Sequence, residues 1–159
     1  MECGNCYLAR GVKSTSASVL SSGVGESLCA ASKHLANRTR SLGVDLDRGT
    51  RALRDVAWST GVQHGPELGY TVFRNAIAAT DRQLRRNDPG YEEALVRNIY
   101  AGRAAIAARI RDRARRGTSQ WRVYDNVATI RYPRERDAAL RMLAEERARA
   151  RQAPTTGED

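Results

Sequence analysis

Apolar residues recur along most of this chain at three- and four-residue intervals, the period of a helix that buries one side. The pattern is clearest after the turn Asn87-Asp88-Pro89-Gly90, where Leu95, Ile99, Ile106 and Ile110 predict one long helix running to Arg116 and ended by Gly117. Upstream, Leu68, Val72, Phe73, Ala76 and Ile77 predict a helix from Glu67 to about Leu84. Leu53, Val56, Ala57 and Val62 predict another, with Asp47 or Thr50 as its cap and Gly65-Pro66 as its stop. A helix from about Leu28 to Leu42, closed by Gly43, precedes these, and Pro133 opens a terminal one with Ala139, Leu140, Met142 and Leu143 inward. Trp121 to Tyr132 fits a short helix or an extended segment, because Val123, Tyr124, Val127 and Ile130 satisfy both periods.

Composition sharpens this into an all-α, single compact helical domain. The 159 residues suit one domain, and aromatic residues make up only 6%, so Ala, Leu, Val and Ile must build the core. Those residues, with abundant Arg and Glu, lose little side-chain freedom in helices. Residues 1–27, rich in Ser and Gly, read as a flexible lead-in, residues 28–152 as the helical domain, and residues 153–159 as a disordered tail.

A net charge of +9 favours polyanionic partners, whether nucleic acid, acidic lipid or bacterial cell wall. No stretch approaches the ~18 apolar residues of a membrane span, and no apolar signal core opens the chain. A soluble protein made in the cytoplasm without a signal peptide is expected. Cys3-Gly4-Asn5-Cys6 with Cys29 and His34 could make a zinc site, but no second CxxC accompanies it. Free thiols, with no metal or cofactor, are the better reading. Arg103, Arg109, Arg111, Arg113, Arg115 and Arg116 could lie against phosphates, best along Arg109, Arg113 and Arg116, or simply form a solvated helix surface.

The most informative segment runs from Leu53 to Pro66. On a helix Thr60, Gln63 and His64 share a face and Ser59 lies beside Gln63, while Trp58, between Val56 and Val62, is expected to be largely buried with its indole edge toward a groove. An indole stacks on a pyranose face, and amide, hydroxyl and imidazole groups bond its substituents. A core Trp beside polar residues that close a helix terminus explains the same residues without a ligand.

Ala52-Leu53-Arg54-Asp55-Val56-Ala57-Trp58-Ser59-Thr60-Gly61-Val62-Gln63-His64-Gly65-Pro66 resembles the "ALQDVVWSTAVQHGP" signature of chitosanase-like and lysozyme-like peptidoglycan-hydrolase modules of phage tail and type VI secretion proteins. Ile99-Tyr100-Ala101-Gly102-Arg103 is similar to their "IYxER" element, and Arg131-Tyr132 with Glu135 to their "RYxxE" element. The three occur in the right order over about residues 35–145, the C-terminal part of such a module. The resemblance implies cleavage of β-1,4 links in peptidoglycan or a related amino-sugar polymer, and delivery to the periplasm with a larger delivery protein or a missing N-terminal module. It also implies a substrate-binding wall of Trp58, Ser59, Thr60, Gln63, His64, Tyr100 and Arg103, with Arg103 and Gln63 around one cleft.

Two departures bear on activity. Gly102 stands where the family has an acidic residue, and residues 1–34 carry no "YESGG" segment, whose Glu is the family's candidate general acid. Glycoside hydrolysis normally needs two carboxyl groups across the scissile bond. Glu26 as a replacement acid and His64 as a base are the candidates that remain. The expectation is therefore an incomplete hydrolase module, with a non-catalytic glycan-binding remnant and an Arg-rich nucleic-acid-binding helical protein as alternatives.

Overall fold

The helical periods are realised as five α-helices, with no strand, among residues 33–152, which are the residues that the computed structural model describes. Helix α1 (residues 33–41) turns Leu35 and Thr39 inward and closes through Gly43. Val44 N–H reaches back to the Thr39 carbonyl at 3.1 Å and Gly43 N–H to that of Arg40 at 2.9 Å, while Gly43 takes φ of 77°. This paired closure needs a left-handed residue, which is why glycine ends the helix.

Helix α2 (Arg51–Asp81) begins at Thr50, whose hydroxyl accepts Leu53 N–H at 3.2 Å. Its first turn contains no acid, and other helices supply them instead. Glu92 accepts Thr50 N–H at 3.2 Å and Glu146 accepts Arg51 N–H at 3.0 Å, so two carboxylates meet the positive end of the α2 dipole. Gly65 breaks the helix at φ 72° and ψ 173°, and Pro66 restarts it directly. The expected stop is thus a break between two helical halves rather than a loop.

Helix α3 (Tyr91–Arg113) is central, packing against α2, α4 (Ser119–Asn126), the π turn Val127–Arg131 and α5 (Tyr132–Gln152). Its buried stripe is Leu95, Val96, Ile99, Tyr100, Arg103 and Ala107, while Ile106 is only partly buried. The stripe faces Val56, Val72 and Phe73 of α2 within one apolar core. The helix ends at Arg113 rather than Arg116, and the following loop ends in Thr118, which caps α4 by accepting Trp121 N–H at 3.3 Å. The ambiguous segment 121–132 is α4 plus the π turn, running straight into α5. That turn lies just ahead of Pro133, which has no N–H for the helical ladder. Among the described residues no helix is long and apolar enough to cross a membrane.

Trp58 departs from expectation, remaining 47% exposed beside exposed Val62. Positions 58 and 62 lie one turn apart, on the side opposite the inward Thr60 and Ala57. Phe73→Ala is expected to cost about 3–5 kcal/mol, as for a fully buried aromatic, and Trp58→Ala less than about 1 kcal/mol. Urea denaturation of both variants checks this, and an equal loss in the two would contradict the packing described.

Candidate functional site

Three helices each bring a pair of side chains one turn apart to a single point. Helix α2 contributes Ser59 and Gln63, α3 contributes Tyr100 and Arg103, and α5 contributes Tyr132 and Glu135. At the centre is the guanidinium of Arg103, a residue with 0% exposure. Its Nη2 donates to Ser59 Oγ at 3.2 Å, to Glu135 Oε2 at 3.1 Å and to Gln63 Oε1. The rings of Tyr100 and Tyr132 lie 4.7 and 4.6 Å from its central carbon, giving two aromatic faces to the cation. Removing a cation from water costs several kcal/mol unless partners offset it, and here a carboxylate, an amide, a hydroxyl and two rings do so. Arg103 Nε and Nη1 have no hydrogen-bond partner among the described residues.

The surrounding groups form a second ring of contacts. Arg131 Nε donates to the other oxygen of Glu135 at 2.6 Å, so both carboxylate oxygens are engaged. Tyr132 Oη and His64 Nε2 lie 3.2 Å apart, which ties the end of the first half of α2 to α5. Burial, then the positive charge of Arg103, hold the His64 pKa below its ordinary 6.5, so the ring is neutral at pH 7. Burial raises the Tyr100 hydroxyl above its usual range despite the opposing effect of Arg103. The π turn immediately precedes Tyr132, and a turn of this kind changes the register in which the following side chains meet the neighbouring helix.

Gln63, His64, Ser59, Tyr100 and Arg103 are thus brought together, and Arg103 and Gln63 share one site. Arg103 is enclosed, however, and its guanidinium meets the side chains around it rather than the surface. Thr60 does not join them, since it is fully buried and its hydroxyl donates to the Val56 carbonyl at 2.7 Å. Trp58 stands outside, on the exposed side of α2. Arg131, Tyr132 and Glu135 belong to the cluster although sequence reasoning left them out of the wall, and the i, i+3 spacing of Tyr132 and Glu135 was the available signal. A side chain begun at Gly102 would meet Val72 at 3.6 Å, against the second half of α2.

Glu26, Cys3, Cys6 and Cys29 lie outside the described residues. His34 Nε2 lies 3.4 Å from Glu67, whose carboxylate also takes Arg38 at 2.6 Å. Of the arginine run, Arg103 is buried and Arg111 pairs with Asp112 and Asp125 at 2.8 and 3.0 Å, while Arg109 and Arg113 of the expected stripe are exposed on α3. Arg116 lies beyond the helix end, with its guanidinium 6.0 Å from the Trp121 ring.

No protein-family model, curated protein or solved structure matches the chain.

Glu135→Gln removes the charge opposite a buried cation and is expected to cost about 3 kcal/mol, against under about 1 kcal/mol for the more exposed Arg131→Gln. A second expectation concerns pH. A histidine whose folded pKa lies below its unfolded value takes up its proton more readily when unfolded, so its stabilising contribution is present above about pH 6.5 and is lost as pH falls. His64→Asn should therefore flatten the loss of stability between about pH 7 and about pH 5, and an unchanged slope in paired urea titrations would contradict this.

Proposed function

We propose that this chain is the C-terminal part of a peptidoglycan-hydrolase-like module, of the kind carried by phage tails and type VI secretion systems, and that it binds an amino-sugar glycan along α2. One observation carries the reading. The three segments that resemble the family are far apart in the chain, yet Gln63 and Ser59 from the first, Tyr100 and Arg103 from the second, and Tyr132 and Glu135 from the third all meet at one guanidinium. In this reading Trp58 offers its exposed indole to a sugar face, and Ser59, Gln63 and His64 bond its substituents.

The chemistry is that of a binder with a weak or absent cut. A general acid needs a carboxyl oxygen free to hand its proton to the leaving group, and both oxygens of Glu135 already accept from arginines. Gly102 has no side chain to contribute. His64, neutral and tied to Tyr132, serves as an orienting group.

The chain should remain on purified sacculi at about 1 M salt, where the screening length falls to about 3 Å and simple polycation binding is released. Dye release from labelled sacculi should stay near the buffer rate, since loss of a general acid typically removes about 10²- to 10⁴-fold. Complete elution by salt, with retention on nucleic acid instead, would overturn the glycan reading. Robust dye release that survives Glu26→Gln would overturn the incomplete-enzyme reading.

A further inference from the structure

The net charge of +9 is not spread evenly over the chain. Residues 109–122 hold six arginines against one aspartate, a net of +5, whereas the α2–α3 turn from Asp81 to Asp88 sets three arginines against two aspartates. Neighbouring acids do little to neutralise the excess. Asp112, within this stretch, and Asp125, on α4, both pair with Arg111, at 2.8 and 3.0 Å. Arg109, Arg113, Arg115, Arg116 and Arg122 make no ion pair among the described residues, and all five are exposed. The fold gathers them at one corner. Arg109 and Arg113 stand one turn apart at the end of α3, Arg115 and Arg116 lie in the loop that follows, and Arg122 is in the first turn of α4. Arg111 ties the two helices together through Asp125, and Arg116 sets its guanidinium 6.0 Å from the Trp121 ring, so the loop closes on α4.

We infer that this corner binds the phosphodiester backbone of duplex nucleic acid without regard to sequence. Helix α3 rises only about 6 Å from Arg109 to Arg113 and α4 about 4.5 Å from Ser119 to Arg122, while a duplex presents one charge per about 1.7 Å of its axis. Five cations so placed meet several phosphates rather than one anion. A guanidinium directs two donors at once to phosphate oxygens, and each contact releases a counterion. Two other polyanions fit less well. A bilayer takes up apolar side chains, and no large apolar side chain is exposed between Arg109 and Arg122. A single strand is held by bases stacked on aromatic rings, and Trp121, the aromatic of this stretch, is partly buried with Arg116 over its ring. The inference is independent of the glycan reading, which concerns α2 and binding at about 1 M salt, where contacts of this kind are screened.

The test is fluorescence anisotropy of a labelled duplex of random sequence, titrated with the full chain at salt from about 50 to about 200 mM. The logarithm of the affinity should fall linearly with that of the salt concentration, with a slope of about −4 to −5 for five phosphate contacts. Arg113→Gln combined with Arg116→Gln should make the slope shallower by about two and weaken binding at about 0.1 M salt by about tenfold or more. Arg109→Gln combined with Arg122→Gln should do the same, so a folding fault in one pair leaves the other as the measure. Arg82→Gln combined with Arg85→Gln removes equal charge from exposed arginines of the α2–α3 turn, which also make no ion pair among the described residues. That control should change the affinity by less than about threefold, as expected of charges outside the contact.

Equal losses in all three pairs would mean attraction by net charge alone and would overturn the inference. A slope unchanged by both pairs at the corner, or no binding of the duplex at about 50 mM salt, would overturn it as well. Tighter binding to a single strand of the same sequence, or to phosphatidylglycerol vesicles, would assign the corner to another partner and overturn the choice of a duplex.

Discussion

The arrangement of this protein turns on the burial of one charge. Arg103 lies in the inward stripe of α3, in line with Val96, Ile99 and Ala107, where a helix packed on three neighbours would ordinarily place an apolar residue. A guanidinium in that position is tolerable only if the surrounding side chains contribute compensation. Helix α2 provides two oxygens, α5 a carboxylate, and α3 and α5 an aromatic ring each. An apolar side chain of similar volume would impose no such demand, so the ion is better understood as specifying how the helices meet than as adding stability.

The remainder of α2 holds that arrangement in place. Its start is capped by carboxylates from α3 and α5, and its second half carries Val72, Phe73, Ala76 and Ile77 into the core. Between these anchors Gly65 interrupts the backbone, so the half bearing Ser59 and Gln63 need not follow the axis set by the half that fills the core. Glycine is required there because its φ of 72° is a conformation that side chains oppose. The tie between His64 and Tyr132 closes the arrangement at the break itself.

Much of this fold is legible in the residues. The helices follow from their apolar periods, Thr50 from its place ahead of Leu53, and the break from Gly65-Pro66. Trp58 was misplaced because its neighbours Val56 and Val62 are apolar, yet successive helical positions turn by about 100°, so Val56 points inward while Val62 and Trp58 do not. The end of α3 was set three residues late because Arg115 and Arg116 are good helix formers, whereas Thr118 starts the next helix from the loop. Burial of Arg103 could be suspected from its place in the stripe, but its partners come from residues 40 to 44 positions before it and 32 after, and no local pattern announces such a meeting. The π turn is legible only in retrospect, since Pro133 predicts a helix start as readily as an interrupted ladder.

The same geometry bears on whether a site of this kind cuts or holds. A hydrolytic centre needs carboxyl groups whose protons are free to move, and here the carboxylate nearest the cluster is committed on both oxygens to arginines. Releasing Glu135 for proton transfer would leave Arg103 buried without its counter-charge, so the side chain that is chemically suited to act is the one the fold can least spare. A carboxylate able to work against this cluster would have to come from a segment outside the Arg103 ion pair.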